Sequence, residues 1–182
     1  SLKGVQNLTI CNPTEDFLHL KRTEGILYWM TDTHWNNKGS FLAYSNFSKL
    51  FGLPLPQVEF QHGSTHRGDL INIAKLKEFP VHTEDNWDVI WSSKPVWVET
   101  KIPDQEKSVF GRVSIVKNPN FLSDKYIWIV GDSFTTSLRQ YFNATFKEVH
   151  YMGHWSRKLK DLPDDLANQD RKPDMIIIVR VE

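Results

Sequence analysis

Asp32, His34 and Ser133 are residues whose types and settings could do chemistry together. A serine hydroxyl is a poor nucleophile until a base takes its proton, and an imidazole serves as that base best when a carboxylate fixes its tautomer and aim. In an extended or turning segment, residues two apart point the same way. Within Asp32-Thr33-His34 the carboxylate can therefore accept a hydrogen bond from one ring nitrogen and leave the other free for a nucleophile. Ser133 stands in Gly131-Asp132-Ser133, between the apolar run "YIWIV" and the helical "SFTTSLRQYF". Glycine permits a tight turn there. A serine at that point lies at the carboxyl end of a strand and at a helix N-terminus, where unpaired N–H groups favour an oxyanion. Such a set performs acyl transfer.

Each piece also has a plainer reading. Serine at a helix start is a common N-cap. A lone D-x-H has little specificity: His34 can be a capping or packing residue and Asp32 a turn residue. The chemical reading gains from position, because both stretches lie between an apolar run and a helix and can reach one edge of one sheet. A working pair requires the Ser133 hydroxyl and the His34 ring to lie about 3 Å apart.

The elements that must position these residues follow from hydrophobic periodicity. "NLTI" reads as a short strand, "DFLHLKR" as one or two helical turns and "ILYWM" (26–30) as a strand. Asn36 or Asn37 caps a helix carrying Phe41, Leu42, Tyr44, Phe47, Leu50 and Phe51, which Gly52 ends. Residues 55–120 differ in texture, with short β-branched or aromatic runs ("QVEFQH", "NWDVIWS", "PVWVET", "GRVSIVK") between polar turns, interrupted by a helix "GDLINIAKL" that Asp69 caps. That region reads as an inserted antiparallel β segment or β edge. The last third alternates: strand "YIWIV", helix, strand "KEVHYM", a helix broken by Pro163, and the buried strand "DMIIIVRV". Alternation with continuous apolar strands implies crossovers onto a parallel sheet. The expected fold is therefore α/β, a three-layer α/β/α sandwich with added antiparallel β structure, in a single domain over 1–182.

Composition narrows the partners. Lys+Arg and Asp+Glu are equal at 22 each, and no basic block interleaves with aromatics, so nucleic acid is a poor partner. No apolar run is long enough to span a bilayer. The single cysteine, Cys11, makes no internal disulfide and reads as a small buried apolar residue. The sequence ends within a strand-like run, "DMIIIVRVE", so a segment of a longer protein is expected. His62 with His66, and His150 with His154, invite a metal reading, but no third ligand follows in register and no metal or other cofactor is expected. Trp29, Trp91, Trp97 and Trp128 fall in strand-like runs and read as core. Trp35 and Trp155 stand in polar surroundings near the expected site, where either can stack on a sugar ring; Trp35 can equally buttress the helix start. Arg157 can pair with an acidic sugar carboxylate, although a solvated surface arginine is commoner.

Gly131-Asp132-Ser133 on a strand-to-helix turn resembles the first block of the SGNH/GDSL hydrolase superfamily. Here the acid–histidine block precedes it by about a hundred residues, as Asp32-Thr33-His34-Trp35-Asn36. That permuted order, with "LYWMTDTHWNNKG", "RGDLINIAKL", "WIVGDSF" and the closing "KPDMIIIVRVE", is similar to the alginate O-acetyltransferase (AlgX/AlgJ-like) family. The resemblance implies Ser133 as nucleophile, His34 as general base and Asp32 as its orienting acid. It implies Gly153, after the second strand, as an oxyanion donor; the superfamily's third block, with its asparagine, would follow "IIIVRV", where the sequence stops at Glu182, so that block assigns no residue here. It further implies acetyl transfer to hydroxyls of an exopolysaccharide in the periplasm or otherwise outside the cytoplasmic membrane, beside a membrane-bound acyltransferase that supplies the acetyl group. In a longer protein, a membrane anchor would fit. The same triad also suits an acetyl esterase, and an inactive carbohydrate-binding domain is the non-enzymatic alternative.

Overall fold

Asn36 shows how one side chain sets both an element and its place. In this computed structural model it is fully buried and accepts from the Gly39 N–H (3.0 Å), capping α2 (Asn37–Leu50). Its amide donates to the carbonyls of Ile26 (2.7 Å) and Asp85 (2.8 Å), so the cap also joins two distant segments. The structure describes residues 7–23, 25–76, 78, 80, 83–102, 112–153 and 156–180, with backbone alone at 112, 113, 153 and 156–158. No helix among them is long and apolar enough to cross a membrane.

The remaining elements, in order, are α1 (Thr14–Leu20), β1 (Val58–His62), α3 (Asp69–Ile73), β2 (Trp87–Trp91), β3 (Val98–Lys101), β4 (Arg112–Lys117), β5 (Ser123–Gly131), α4 (Thr135–Thr145), β6 (Phe146–Gly153), α5 (Ser156–Ala167) and β7 (Met175–Val179). α1 precedes α2, and α2 precedes β1. β1 and β2 form a separate antiparallel pair. The main sheet runs β3-β4-β6-β5-β7. β5 pairs in parallel with β6 and β7, while β4 runs antiparallel to β6 and β3 antiparallel to β4. The sheet is thus mixed.

β5 lies between β6 and β7 and alternates between two cores. Ile127 and Ile129, with Val149 and Tyr151 of β6, meet Leu138, Tyr141 and Phe142 of α4 and Ala43, Tyr44 and Phe47 of α2. Tyr126, Trp128 and Val130, with Met152, meet Leu159, Leu162 and Leu166 of α5. Helices therefore cover both faces. Truncating a fully buried ring such as Phe142 or Tyr141 would cost about 3–5 kcal/mol.

Several expectations change. The 55–120 segment, read as an inserted antiparallel β segment or a β edge, divides: β1 and β2 stand apart as an antiparallel pair, whereas β3 and β4 extend one edge of the main sheet in antiparallel fashion. "NLTI" forms no strand, and "ILYWM" contributes only the bridge Tyr28–Trp35, because the chain folds back on itself between them. α5 runs on through Pro163, held by its three leucines against the sheet. β7 is an edge strand among the described residues, with Ile178 53 % exposed, so its apolar run marks partial burial. Trp97 and Trp91 pack at the border of the first core, as their strand-like settings imply. Cys11 is only half-buried, and burial raises its thiol pKa, with Asp16 adding to the effect.

Candidate active site

The parallel register brings Gly131, Gly153 and Val179 level, at the carboxyl ends of β5, β6 and β7. Ser133 lies two residues past that edge. Its turn is tight: a Cβ on Gly131 would run into the Thr135 hydroxyl oxygen and Cβ, so only glycine fits. Asp132 organises the turn. Its Oδ1 accepts from the Phe134 N–H (3.0 Å) and its carbonyl accepts from the Thr135 N–H (3.0 Å). Ser133 does not cap the helix, whose N-cap position is Phe134 and carries no side-chain cap bond, and the Ser133 hydroxyl is turned elsewhere.

It meets His34. The folded-back segment places Trp29 N–H on the His34 carbonyl (3.2 Å) and Asn36 N–H on the Leu27 carbonyl (3.0 Å), with Asp32 and His34 on the connecting bend. His34 Nε2 lies 2.7 Å from Ser133 Oγ, and His34 Nδ1 lies 2.5 Å from Asp32 Oδ1. With the carboxylate ionised, Nδ1 carries a proton, so Nε2 is the nitrogen that can accept from Ser133. Phe134 packs against the His34 ring at 4.8 Å.

Asp32 is held by more than His34. Oδ1 also accepts from the His34 N–H (3.1 Å); Oδ2 accepts from His66 Nε2 (2.9 Å) and from the Asp69 N–H (3.3 Å). Burial by itself would raise the pKa of this carboxyl, whose side chain is only 10 % exposed. The hydrogen bonds from His66, from the His34 ring and from the two backbone N–H groups outweigh that and hold it far below the usual carboxylate range. Asp69 does not cap α3, whose cap position is Gly68. Its carboxylate instead accepts from Thr33, through the backbone N–H (2.9 Å) and the hydroxyl (2.7 Å). Gly68 lets the two segments touch: a Cβ there would overlap the Thr31 carbonyl and the Asp32 Cβ.

Trp35 is buried (8 % exposed), and its indole N–H donates to Ser137 Oγ (2.7 Å) and the Phe134 carbonyl (3.2 Å). It buttresses the turn that carries Ser133 and leaves no open ring face for a sugar. Gly153 sits at the strand end beside Gly131. Trp155 and His154 lie outside the described residues, as does the side chain of Arg157. Of the histidines weighed as metal ligands, His62 stacks on Trp87 (3.9 Å) and His66 belongs to the Asp32 cluster, while His150 is bonded to Tyr126 (3.1 Å) and Glu148 (2.7 Å). Sequence reasoning weighed His66 only as a metal ligand; its proximity to Gly68-Asp69 was the available signal.

Asp32, His34 and Asp69 bring potential ligand atoms within 4.8 Å of one another. Their present geometry suits hydrogen bonding better than chelation. With its proton directed at Asp32 Oδ1, 2.5 Å away, His34 Nδ1 presents no lone pair to a metal.

No known family profile matches the chain, and no curated protein sequence matches it. Solved structures do. Bacillus cereus PatB1 bearing a sulfonyl adduct superposes with a TM-score of 0.64 at 14 % identity, over 96 % of this chain and 68 % of that one. The O-acetyltransferase domain of Pseudomonas putida AlgJ gives 0.52 at 13 %, over 95 % and 59 %. A DHHW family protein from Eubacterium siraeum gives 0.54 at 14 %, over 86 % and 60 %. The chain shares the fold of these proteins. It spans about three fifths of the length of the last two proteins.

Proposed function

We propose that this protein is a serine-dependent O-acetyltransferase acting on polysaccharide hydroxyls, with Ser133, His34 and Asp32 as its catalytic triad in a single SGNH-like α/β/α domain. The observation that carries this reading is the continuous chain from Ser133 Oγ through the His34 ring to Asp32, at 2.7 and 2.5 Å, on the sheet edge where β5 ends. The fold shared with an O-acetyltransferase domain supports the choice of acyl group.

The reaction runs in two halves. Ser133 Oγ bonds to the acetyl carbonyl carbon as its proton passes to His34 Nε2, and Asp32 stabilises the resulting imidazolium. The Ser133 N–H and the Gly153 N–H hold the oxyanion. Collapse breaks the bond to the donor's oxygen, which leaves with the proton from His34. A sugar hydroxyl then gives its proton to His34 and attacks the acetyl carbon, and collapse returns the proton to Ser133. Water in place of the sugar makes the same site an esterase. In the cell the acetyl group would come from a membrane-bound acyltransferase partner, and the acceptor would be an exopolysaccharide of the alginate type, in the periplasm or otherwise outside the cytoplasmic membrane.

Incubation with p-nitrophenyl acetate tests this directly. Wild type should release nitrophenol with a burst and carry an acetyl group on the peptide containing Ser133. Ser133→Ala should do neither. Equal background release from both proteins would sink the reading in favour of a non-enzymatic carbohydrate-binding role. An oligosaccharide acceptor that gains acetyl groups separates transfer from hydrolysis.

A further inference from the structure

We infer that His66 is a positioning residue for Asp32, holding the carboxylate in the one orientation that serves His34. The inference rests on the triad reading above.

A carboxylate turns easily about its Cβ–Cγ bond, because that torsion is broad and two-fold. Asp32 Oδ1 must nevertheless point at His34 Nδ1. The bend that carries Asp32 supplies only the His34 N–H as a further anchor for Oδ1. The Oδ2 end is fixed from elsewhere in the chain, by His66 Nε2 at 2.9 Å and the Asp69 N–H at 3.3 Å. His66 is the shorter of the two contacts and, among the described residues, the only side-chain one. The carboxylate is therefore gripped between two imidazoles, one on each oxygen.

His66 is itself braced. Its ring stacks on Trp29 at 4.0 Å and 18°, and Trp29 lies three residues before Asp32. The Trp29 indole N–H donates to Asn86 Oδ1 (3.1 Å); Asn86 donates to the Ser64 carbonyl (2.5 Å) and accepts at its own carbonyl from the Gly63 N–H (3.0 Å). Gly68 N–H donates to the buried Thr31 hydroxyl (3.1 Å) and Leu70 N–H to the Thr31 carbonyl (3.1 Å). The 63–70 segment is thereby tied on both sides of His66 to the bend that holds Asp32 and His34. A surface histidine that merely happened to lie near an acid would need none of this. Because Asp32 Oδ2 can only accept, His66 Nε2 carries a proton, and the service it performs is donation.

Glutamine can supply an N–H donor close to the position of Nε2, and leucine cannot. His66→Gln should keep kcat within about twofold of wild type, whereas His66→Leu should lower kcat roughly tenfold to a hundredfold with little change in KM, as expected when a catalytic group is misaimed. Equal losses in both variants would assign His66 to packing, and wild-type kcat in His66→Leu would overturn the inference outright. A second measurement needs neither turnover nor a folded leucine variant. Low-field proton NMR of the wild type at low temperature should show two imidazole N–H resonances, from His34 and His66. Asp32→Asn should move both, and His66→Gln should remove one and move the other. A His66 resonance unmoved in Asp32→Asn would overturn the inference. Absence of Ser133-dependent acetyl release would instead remove the acetyltransferase reading, while the spectra would still decide whether His66 anchors Asp32.

Discussion

The Nε2 atom of His34 lies 2.7 Å from the hydroxyl of Ser133, across 99 residues of chain. Neither side chain performs the local task its neighbourhood allowed: Asn36 caps α2, and Asp132 organises the start of α4. Both are free for each other. Residues that act as a unit are non-additive when removed. Ser133→Ala and His34→Ala should each lower kcat with p-nitrophenyl acetate by about 10³-fold or more, and the double variant should be no worse than either single one, as steady-state kinetics would record.

Asp32 links the site to acid stability. Its carboxyl pKa is held low in the folded state, so its stabilising effect is present above the unfolded value, near pH 4, and is lost as pH falls through the folded value. Asp32→Asn should therefore be less stable than wild type in urea at pH 7, and the gap should narrow in melts run progressively below pH 4. At neutral pH the same variant should lose about 10³-fold or more in kcat, because the amide can hold the wrong tautomer of His34.

Trp35 supports the nucleophile's turn from below. Replacing it with phenylalanine keeps most of the packing but deletes the N–H shared by Ser137 and the Phe134 carbonyl. The expected cost is about 1–3 kcal/mol of stability, read by thermal melting. In acceptor titrations kcat should fall while the acceptor KM holds. A rise in KM alone would return Trp35 to the role of a sugar platform.

Gly68 is where the 63–70 segment touches the bend. Gly68→Ala must push apart the Thr31 carbonyl and the Asp32 side chain, both of them hemmed in by their own bonds. It should lower stability by about 1–3 kcal/mol and reduce acetyl release. A crystal structure of the variant should show the Asp32–His66 contact lengthened.

Chelation offers a separate check on the Asp32–His34–Asp69 cluster. If these groups work through hydrogen bonds, prolonged dialysis against EDTA should leave the rate of acetyl release unchanged. Loss of activity with recovery on adding zinc or calcium would favour metal-assisted hydrolysis.

Much of this molecule was legible before any coordinates. The turn after β5, the helix that follows it, a cap at Asn36 or Asn37 and the strands from 58 to 117 are written in local patterns, because periodicity, glycine and capping residues act over a few positions. The two candidate blocks were visible for the same reason, and their settings between apolar runs and helices pointed to one edge. Where local pattern misled, a tertiary contact had won. The 26–30 run looks like a strand, but its partner is the returning segment at Trp35, so it yields a bridge and a bend. Pro163 looks like a helix stop, but three leucines keep α5 seated on the sheet. Asp69 looks like a cap, but Thr33 offered it two donors.

Local spacing by itself determined that Asp32 can face His34 and that Ser133 stands on a tight turn, because both facts depend on residues within a few positions of each other. Only the folded chain decided that the turn and the bend meet, that Trp35 is buried beneath them, and that His66 takes the far oxygen of Asp32. Those contacts join segments dozens of residues apart, and their geometry is set by how the sheet, the helices and the 63–70 segment pack, which no short window of sequence contains.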